Sequence, residues 1–317
     1  MDIKTIFISL AAMTFSLTAC SSSSKNIDNE SSENTSLYMA GDNAGHTIER
    51  NLKLKNFHGL SVSSWVDVHY TQGNTYKVVA KGTPLAFEIN EISVNNGILT
   101  VDQNRKKRNQ DVGVKMTIYV TSPKMDYIEN SGSTTFNAGQ FNAGDMKIDN
   151  SGVLRLNAGG ISSTSVNLEN SGSLKGSSSF SGGSMKYDNT GVCALTGNFD
   201  LTSFSYDNSG SSKISGKVKA GNMTIDNTGV IKDELDIESN TLSMDISGSS
   251  SGSIKFKGHS LDIDCSGVGK MTLNVDCDKL TSDTSGSLRL KVAGRADNTE
   301  FNGSGVSKID TSGLNNF

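Results

Sequence analysis

The 317-residue sequence has little proline, cysteine or aromatic content, and each shortage excludes a class of protein. With only two prolines and no G-X-Y period, the chain is not a collagen, and its recurring apolar residues argue against simple disorder. Four cysteines without a C-x-x-C motif give no zinc-site spacing. After residue 20 no apolar run is long enough for a membrane helix, which excludes a polytopic membrane protein.

Charge and motif content exclude further functions. The formal net charge is only −4 at pH 7, so the chain has no overall field that attracts nucleic acid, and we expect no nucleic-acid partner. The sequence has no Walker loop, G-x-S-x-G motif or metal-spaced histidine pair. His69 and Asp67 share a strand face, which strand alternation alone explains. We therefore predict no catalytic residue, metal or cofactor. The four histidines share no motif: His46, His58, His69 and His259.

The N-terminus has the layout of an export signal. Lys4 is followed by an apolar stretch, too short to span a membrane as a mature helix, that ends in Leu17-Thr18-Ala19-Cys20. A small residue directly before a cysteine resembles the lipobox of bacterial lipoproteins, which implies cleavage before Cys20 and lipidation of its side chain. We predict a lipoprotein signal peptide over residues 1–20, in preference to an ordinary secretory peptide with a stray cysteine.

Residues 21–45 are rich in Ser, Asn and Glu, and this composition predicts a flexible tether. The tether's acids are scattered, so the sequence leaves open whether the anchored chain faces the periplasm or the cell surface at the outer membrane. Cys193, Cys265 and Cys277 are predicted to be small buried residues, and a Cys265–Cys277 disulfide stays open.

An internal repeat dominates the rest of the chain. A Ser-Gly or Thr-Gly dipeptide recurs ten times, with two steps of 20 residues followed by seven of 19. Such a constant period indicates a repeat architecture. The dipeptide glycines are Gly132, Gly152, Gly172, Gly191, Gly210, Gly229, Gly248, Gly267, Gly286 and Gly305.

Residue types around each glycine follow the period-2 alternation of a strand with one buried face. The residues four and six positions before the glycine are apolar in most copies, and the residue between them is mostly polar. A second alternation follows the glycine, as in Leu154-Arg155-Leu156. No window shows the 3.6-residue period of a helix. We predict an all-β fold, a parallel β-helix (β-solenoid) built from ten 19–20-residue repeats over residues 126–317.

Successive coils of a solenoid lie about 4.8 Å apart, so that equivalent positions form ladders. Asn stands two residues before the glycine in six copies, and we expect these amides to hydrogen-bond from coil to coil. The apolar columns should fill a continuous core, and the glycine should allow a corner conformation that a side chain forbids. The six asparagines are Asn130, Asn150, Asn170, Asn189, Asn208 and Asn227.

The residue after the glycine alternates between Ser and Val through all ten copies, which leaves the size of a coil open. If one coil holds one repeat, Ser stacks on Val. If one coil holds two repeats, like stacks on like. Three methionines, Met146, Met185 and Met223, also occur only in Val-type copies. Like-on-like stacking favours the two-repeat coil.

Charged residues flank the corner on outward positions. The residue three before the glycine is acidic in nine copies, and the residue three after it is basic in seven. We favour solvated rows that neutralise each other in part over an acidic ladder that binds divalent cations or a ligand. The loop Arg105-Lys106-Lys107-Arg108 is likewise interpreted as solvated, rather than as a contact for an anionic polysaccharide, lipid headgroup or nucleic acid.

Residues 46–125 lack the glycine period but still alternate. Asn95-Asn96-Gly97 separates two alternating runs and is typical of a hairpin. We predict that this region is a β-strand cap over the end of the solenoid.

A series of individually weak motifs resembles the putative auto-transporter adhesin family, also called the head GIN domain family, over about residues 48–310. The resemblance implies a β-helix and an envelope lipoprotein, and it brings no catalytic or binding residues with it. The motifs are Ile48-Glu49-Arg50, Asn56-Phe57-His58-Gly59-Leu60, Val66-Asp67-Val68, Thr71-Gln72-Gly73, Val94-Asn95-Asn96-Gly97-Ile98-Leu99, and Ile118-Tyr119-Val120 leading to Asn130-Ser131-Gly132-Ser133.

The expected function is that of a non-catalytic, adhesin-like or structural binding module, anchored in the membrane by its N-terminal lipid. Its partner would be a glycan or a surface protein, and its oligomeric state is left open. The alternatives are a β-helix polysaccharide-processing enzyme, by analogy of fold, and a periplasmic lipid- or glycan-binding protein. An enzyme should interrupt its repeat with an irregular polar cluster, and none is evident over residues 126–310.

Overall fold

The computed structural model of the chain describes residues 46–103 and 114–315. The predicted signal peptide with Cys20, the predicted tether over residues 21–45, and the loop Arg105–Arg108 lie outside the described residues. In these two ranges, no helix has the length and apolarity that crossing a bilayer requires.

The described residues form one continuous sheet with one short helix, α1 (Pro84–Ile89). The strands before the regular coils are β1 (Ile48–Leu52), β2 (Gly59–Val62), β3 (Trp65–Gln72), β4 (Lys77–Gly82), β5 (Asn90–Asn95), β6 (Ile98–Gln103), β7 (Met116–Ser122) and β8 (Tyr127–Asn130). The strands of the coils are β9 (Ser133–Asn150), β10 (Val153–Asn170), β11 (Ser173–Asn189), β12 (Val192–Asn208), β13 (Ser211–Asn227), β14 (Val230–Ile246), β15 (Ser249–Cys265), β16 (Val268–Thr284), β17 (Ser287–Gly303) and β18 (Lys308–Asn315).

One repeat makes one coil of the predicted β-solenoid. Val153 lies opposite Ser133 of the preceding coil and Ser173 of the following coil, and the same parallel register continues to β17. The expectation of two repeats per coil is therefore wrong. Its premise fails because this position faces solvent: Val153 is 55% exposed and Val192 is 51% exposed. A Ser beside an exposed Val leaves no void in the core.

The core is a set of apolar columns that run along the solenoid axis, as the alternation predicted. In β14 nearly every second side chain is buried. Side chains of successive coils stack directly: the rings of Tyr187 and Tyr206 are 5.3 Å apart, and those of Phe180 and Phe199 are 5.8 Å apart. Each coil thus covers the apolar side chains of the coil before it, and burial is shared between neighbours.

The predicted asparagine ladder is confirmed. Nδ2 of each asparagine donates to Oδ1 of the next, over 2.7 Å from Asn130 to Asn150 and 2.6 Å from Asn150 to Asn170. The series continues through Asn189 and Asn208 to Asn227. There Nδ2 donates to backbone carbonyls instead, because the next residue in the column is the apolar Ile246. The buried amides are therefore satisfied along the whole ladder.

The corner glycines are required for a different reason from the one expected. Among them only Gly305 has a positive φ, 81°. The others are needed because successive corners lie very close together: a Cβ on Gly191 would overlap the carbonyl oxygen of Gly172. That oxygen accepts a hydrogen bond from the Val192 amide, over 2.8 Å. The constraint is thus a close backbone approach, repeated at each coil.

The first layers of the solenoid come from segments without the glycine period. β2 and β3 lie parallel to β8 and β9 on one side, and to β6 and β7 on the other. β4 pairs antiparallel with β7, β1 pairs with β4, and β5 pairs with β6. These antiparallel strands cover the N-terminal end of the solenoid, as predicted for a cap.

Two local features belong to this cap. The predicted hairpin is confirmed, since Asn95 pairs with Ile98 and the turn residues Asn96 and Gly97 have φ values of 50° and 80°. Helix α1 was not predicted, because six residues are too few to show a helical period. Its start is nevertheless specified by sequence: the Thr83 hydroxyl accepts a hydrogen bond from the Ala86 amide, and Pro84 opens the helix.

The three remaining cysteines are buried, as predicted. In the described part of the chain they are free thiols, without a Cys265–Cys277 disulfide. Burial raises the pKa of Cys193 and of Cys277 to about 11, so both are protonated at neutral pH.

Candidate functional site

Two rows of like charge run along the outside of the solenoid. The acid row holds the carboxylates three residues before the corner glycine, and parallel registers place them opposite one another in successive coils. Its members are Glu129, Asp149, Glu169, Asp188, Asp207, Asp226, Asp245, Asp264 and Asp283. The basic row lies beyond the corner, three residues after the glycine, and holds Arg155, Lys175, Lys213, Lys232, Lys270, Arg289 and Lys308.

The two rows do not neutralise each other across the corner. In residues 46–103 and 114–315 no ion pair joins a member of one row to a member of the other. Instead Lys147 and Lys186, which share a face with the acid row, pair with Glu169 at 3.5 Å and with Asp188 at 2.9 Å. This part of our expectation is wrong. The cause is geometric, since the corner turns the two rows onto different faces.

Burial and like-charge proximity both act on the acid row. Burial, followed by the neighbouring Asp188 carboxyl group, raises the pKa of Asp207. Toward the C-terminus the outward positions beside the row hold Thr224, Ser243, Asp262 and Thr281, and none of them is a lysine. Among the described residues, no three His, Cys, Asp or Glu side chains converge in a metal-binding arrangement.

A shallow groove of about 540 Å³ lies where the N-terminal layers meet the regular coils. It is lined by residues 69–71 of β3, 137–139 of β9 and 157–159 of β10, together with Ser177 and Ser179 of β11. Its lining is mostly polar. At Gly139 the surface is open, because a Cβ there would have no neighbouring atom within 4 Å.

One row of side chains, which lines this groove from His69 onward and begins at Tyr119 beside it, combines aromatic rings with amides. The His69 ring stacks on Tyr119, with centroids 5.0 Å apart, and Tyr119 is 42% exposed. Asn137 lies opposite His69 in the next layer, and Asn157 Nδ2 donates to Asn137 Oδ1 over 3.1 Å. Ser177 continues the row. The aromatic–amide row is thus ordered Tyr119, His69, Asn137, Asn157, Ser177.

Sequence reasoning missed this row. His69 was explained by strand alternation alone, and nothing in the sequence joins it to Tyr119, which lies 50 residues later and pairs with it through β3 and β7. The remaining signal was the pair Asn137 and Asn157, which occupies one column of adjacent repeats.

The other residues considered as candidates occupy separate sites. Asp67 pairs with Lys115 at 2.5 Å, on the same outward face as His69. His58 Nδ1 lies 2.6 Å from Asp126. Although burial opposes it, hydrogen bonds from Lys124 and His58 lower the pKa of Asp126. His259 lies 2.6 Å from Asp278 in a different part of the solenoid. These pairs are local ion pairs or hydrogen bonds, and they do not assemble into a catalytic group.

A buried polar cluster interrupts the core near the middle of the solenoid. Asp233 is only 2% exposed and occupies an apolar column beside Ile214, whose amide donates to its Oδ1 over 2.8 Å. Its Oδ2 has no hydrogen-bond partner, and neither has the Tyr206 hydroxyl. Burial raises the pKa of Asp233 to about 7, although the hydrogen bond from Ile214 opposes the shift. The period of the repeat places Asp233 at an inward position, but an acidic residue type argues for solvent, so its burial was not predicted.

Comparisons with known proteins identify a family for the chain. The model of the family described as "Putative auto-transporter adhesin, head GIN domain" matches residues 56–255 and 235–316. No curated protein matches the sequence.

Three solved structures are similar in fold. A putative adhesin from Bacteroides fragilis has 16% identity and a TM-score of 0.39, over 87% of this chain and 99% of that one. A putative lipid-binding protein from Parabacteroides distasonis has 15% identity and a TM-score of 0.46, over 81% of this chain and 98% of that one. A putative adhesin from P. distasonis has 13% identity and a TM-score of 0.39, over 84% and 98%. Similarity at this level transfers no ligand to the chain.

The family match covers most of the described residues, from β2 of the cap through the regular coils, and it agrees with the motifs of the sequence from Asn56 onward. The chain belongs to the head GIN domain family, the family described as "Putative auto-transporter adhesin".

Proposed function

We propose that the chain is a non-catalytic binding module of the cell envelope, with the adhesin-like role that its family name describes. The observation that carries the proposal is the pair of charged rows: the acid row continues through nine successive coils, the basic row is interrupted only at Ala194 and Ser251, and no ion pair joins the two rows among the described residues. Charges repeated about every 4.8 Å on a rigid support suit a partner that is itself long and repetitive.

The energetics of such a surface favour binding over catalysis. Exposed charges are individually weak, each contributing about 0–1 kcal/mol, so many of them must act together on an extended partner. Asp233, whose pKa burial raises to about 7, is enclosed in the core and out of reach of a substrate. The buried cluster therefore gives no support to the alternative of a polysaccharide-processing enzyme.

The proposed location is the outer membrane, where acyl chains on Cys20 would hold the protein and residues 21–45 would act as a tether. The support is the tetrapeptide Leu17-Thr18-Ala19-Cys20 after an apolar stretch. Fractionation of cells that produce the full chain tests this. We expect the protein in the membrane fraction and a Cys20→Ser variant outside it; equal fractionation of both would contradict the proposed anchor.

The binding role is tested with beads that carry the purified full chain. We expect saturable retention of at least one class of envelope or extracellular polymer, with no release of products. Raising the salt from low ionic strength to about 1 M shortens the Debye length to about 3 Å and should weaken retention. Failure to bind any polymer class, or release of cleavage products, would overturn the proposal.

A further inference from the structure

We propose that the groove beside the aromatic–amide row binds an acidic glycan chain. This inference rests on the proposed binding function and names the ligand class. The glycan contacts the row Tyr119, His69, Asn137, Asn157, Ser177 and places its acidic groups near Arg155 and Lys175.

The amides and hydroxyls of the row match the hydroxyl groups of a sugar. Each sugar hydroxyl can both donate and accept a hydrogen bond. Side chains that also do both, such as amides and hydroxyls, therefore bind a pair of neighbouring sugar hydroxyls best. Asn137 and Asn157 are already aligned by their mutual hydrogen bond of 3.1 Å, which leaves their remaining amide donors and acceptors half-exposed at the groove. This alignment lowers the entropy cost of binding.

The aromatic end of the row supplies an apolar contact. One face of the His69 ring is stacked on Tyr119, and Asn137 follows on the other side. His69 therefore lines the groove at the point where the amides begin. On the same outward face Trp65 is 43% exposed, beside Lys115 and opposite Ser133. Rings placed next to fixed polar groups are suited to the mixed polar and C–H surface of a sugar ring.

The charge around the groove favours an acidic rather than a neutral glycan. Arg155 and Lys175 lie opposite each other in adjacent coils, each two residues before the groove residues Asn157 and Ser177 of the same strand. No carboxylate of the described residues lies within ion-pair distance of either side chain. They are thus free to pair with ligand carboxylates or sulfates, as arginine does well. The nearby Asp67 is occupied by Lys115 at 2.5 Å.

The size and direction of the groove suit an extended polysaccharide. The groove of about 540 Å³ is open and crosses layers β3, β9, β10 and β11. Equivalent side chains in these layers lie about 4.8 Å apart, close to the length of one sugar in an extended polysaccharide. The glycan therefore runs along the solenoid axis, and successive sugars meet successive coils.

The test measures the affinity of the full chain for four polymers: polygalacturonate, dextran sulfate, neutral dextran and polyglutamate. Gly139→Gln places a side chain in the groove without touching the fold, and Arg155→Gln with Lys175→Gln removes the two cations. The matched control is Lys255→Gln with Lys257→Gln, which removes two exposed cations that lie outside both charged rows and farther along the solenoid. Thermal melting by circular dichroism verifies that each variant is folded.

We expect binding to at least one acidic polysaccharide, and the preferred polymer identifies carboxylate or sulfate as the acidic group. Both groove variants should weaken this binding about tenfold or more, and the control about threefold or less. Equal binding of polyglutamate, or equal losses in groove and control variants, would overturn the glycan site. If acidic polysaccharides fail while the bead assay still captures a polymer, this inference is wrong and the proposed function stands. If nothing binds in either assay, both fail.

Discussion

At the scale of single residues, Asp233 is the clearest departure from the repeat. A carboxylate in an apolar column is costly unless it is paired, and Asp233 has only the Ile214 amide as a partner. The register of β13 against β14 is the same on both sides of Asp233, but the strand pairing is missing at Ile214, so the side chain replaces a backbone acceptor for that amide. The side chain is therefore needed as a hydrogen-bond acceptor for the Ile214 amide, while its negative charge destabilises the fold.

The charge of Asp233 should make stability depend on pH. The folded pKa is raised to about 7, against about 3.9 in an unfolded chain. Between these values the folded state binds more protons, so the free energy of unfolding falls as pH rises from about 4 to about 7, by as much as ~4 kcal/mol. Below that range the penalty is absent, and above it the penalty is constant. Urea denaturation at pH 5 and at pH 8 measures the larger part of this change, ~3 kcal/mol, because some of it has already occurred below pH 5.

Asp233→Asn provides the matched comparison, because it keeps the acceptor for Ile214 and removes the charge. We expect this variant to be more stable than the parent at pH 8. Its free energy of unfolding should change much less between pH 5 and pH 8 than that of the parent. Asp226→Asn, on the exposed acid row, is the control and should retain that difference. A pH dependence of Asp233→Asn equal to the parent's would show that another group is responsible.

The corner glycines give a second residue-scale prediction. Gly191→Ala should lower the free energy of unfolding by at least about 3 kcal/mol, because the new Cβ meets the backbone oxygen of Gly172, which cannot move without disturbing the next coil. Gly139→Ala is the control, since its Cβ enters open space. Chemical denaturation compares the two. Similar stabilities for both variants would mean that the coils separate easily at the corner.

Some residue-scale features could be predicted from sequence and others could not. The asparagine ladder was predictable because its members share one column, and a column in the sequence becomes a row in space. The groove was not, because His69 and Tyr119 meet through a pairing of two irregular strands whose register no repeat specifies. The burial of Asp233 was hidden for a related reason: the column's period marks it as an inward position, but residue type argues for solvent.

At the scale of the element, the coil is the unit of folding, and it holds one repeat. The two-repeat expectation relied on Ser and Val needing like neighbours, and their exposure removes that need. Because Ser and Val alternate at this solvent-facing position, neighbouring exposed valines lie two coils apart. No continuous apolar strip therefore forms along the corner.

Deletion of residues 192–210 removes one coil and joins Gly191 to Ser211, so that every column stays in register. We expect a folded protein with a circular dichroism spectrum like the parent's and a single melting transition, because each coil contacts only its neighbours. Deletion of residues 192–200 is the control, and it should abolish cooperative melting because it moves apolar side chains out of their columns. Cooperative melting of the half-coil deletion, or unfolding of the full-coil deletion, would refute the one-repeat coil.

At the scale of the whole solenoid, the two ends differ in how they are covered. At the N-terminal end β7 is paired with β4, which is paired with β1, and β6 is paired with β5. At the other end, within the described residues, β18 pairs only with β17, over a short and irregular register, and its side chains are half-buried or exposed. Because each coil is stabilised only by its neighbours, the end coil that is least covered should unfold first.

Hydrogen exchange followed by mass spectrometry tests this asymmetry. Amides of β18 should exchange first and those of β17 next, while β11–β14 exchange only on global unfolding, because opening a central coil breaks two interfaces and opening β18 breaks one. The capped layers β2 and β3 are the internal comparison, and they should be protected for much longer than β18. Equal protection of β18 and β12 would show that the solenoid opens as one cooperative unit. A gradient with faster exchange at β2 and β3 would show that the antiparallel strands do not stabilise the end they cover.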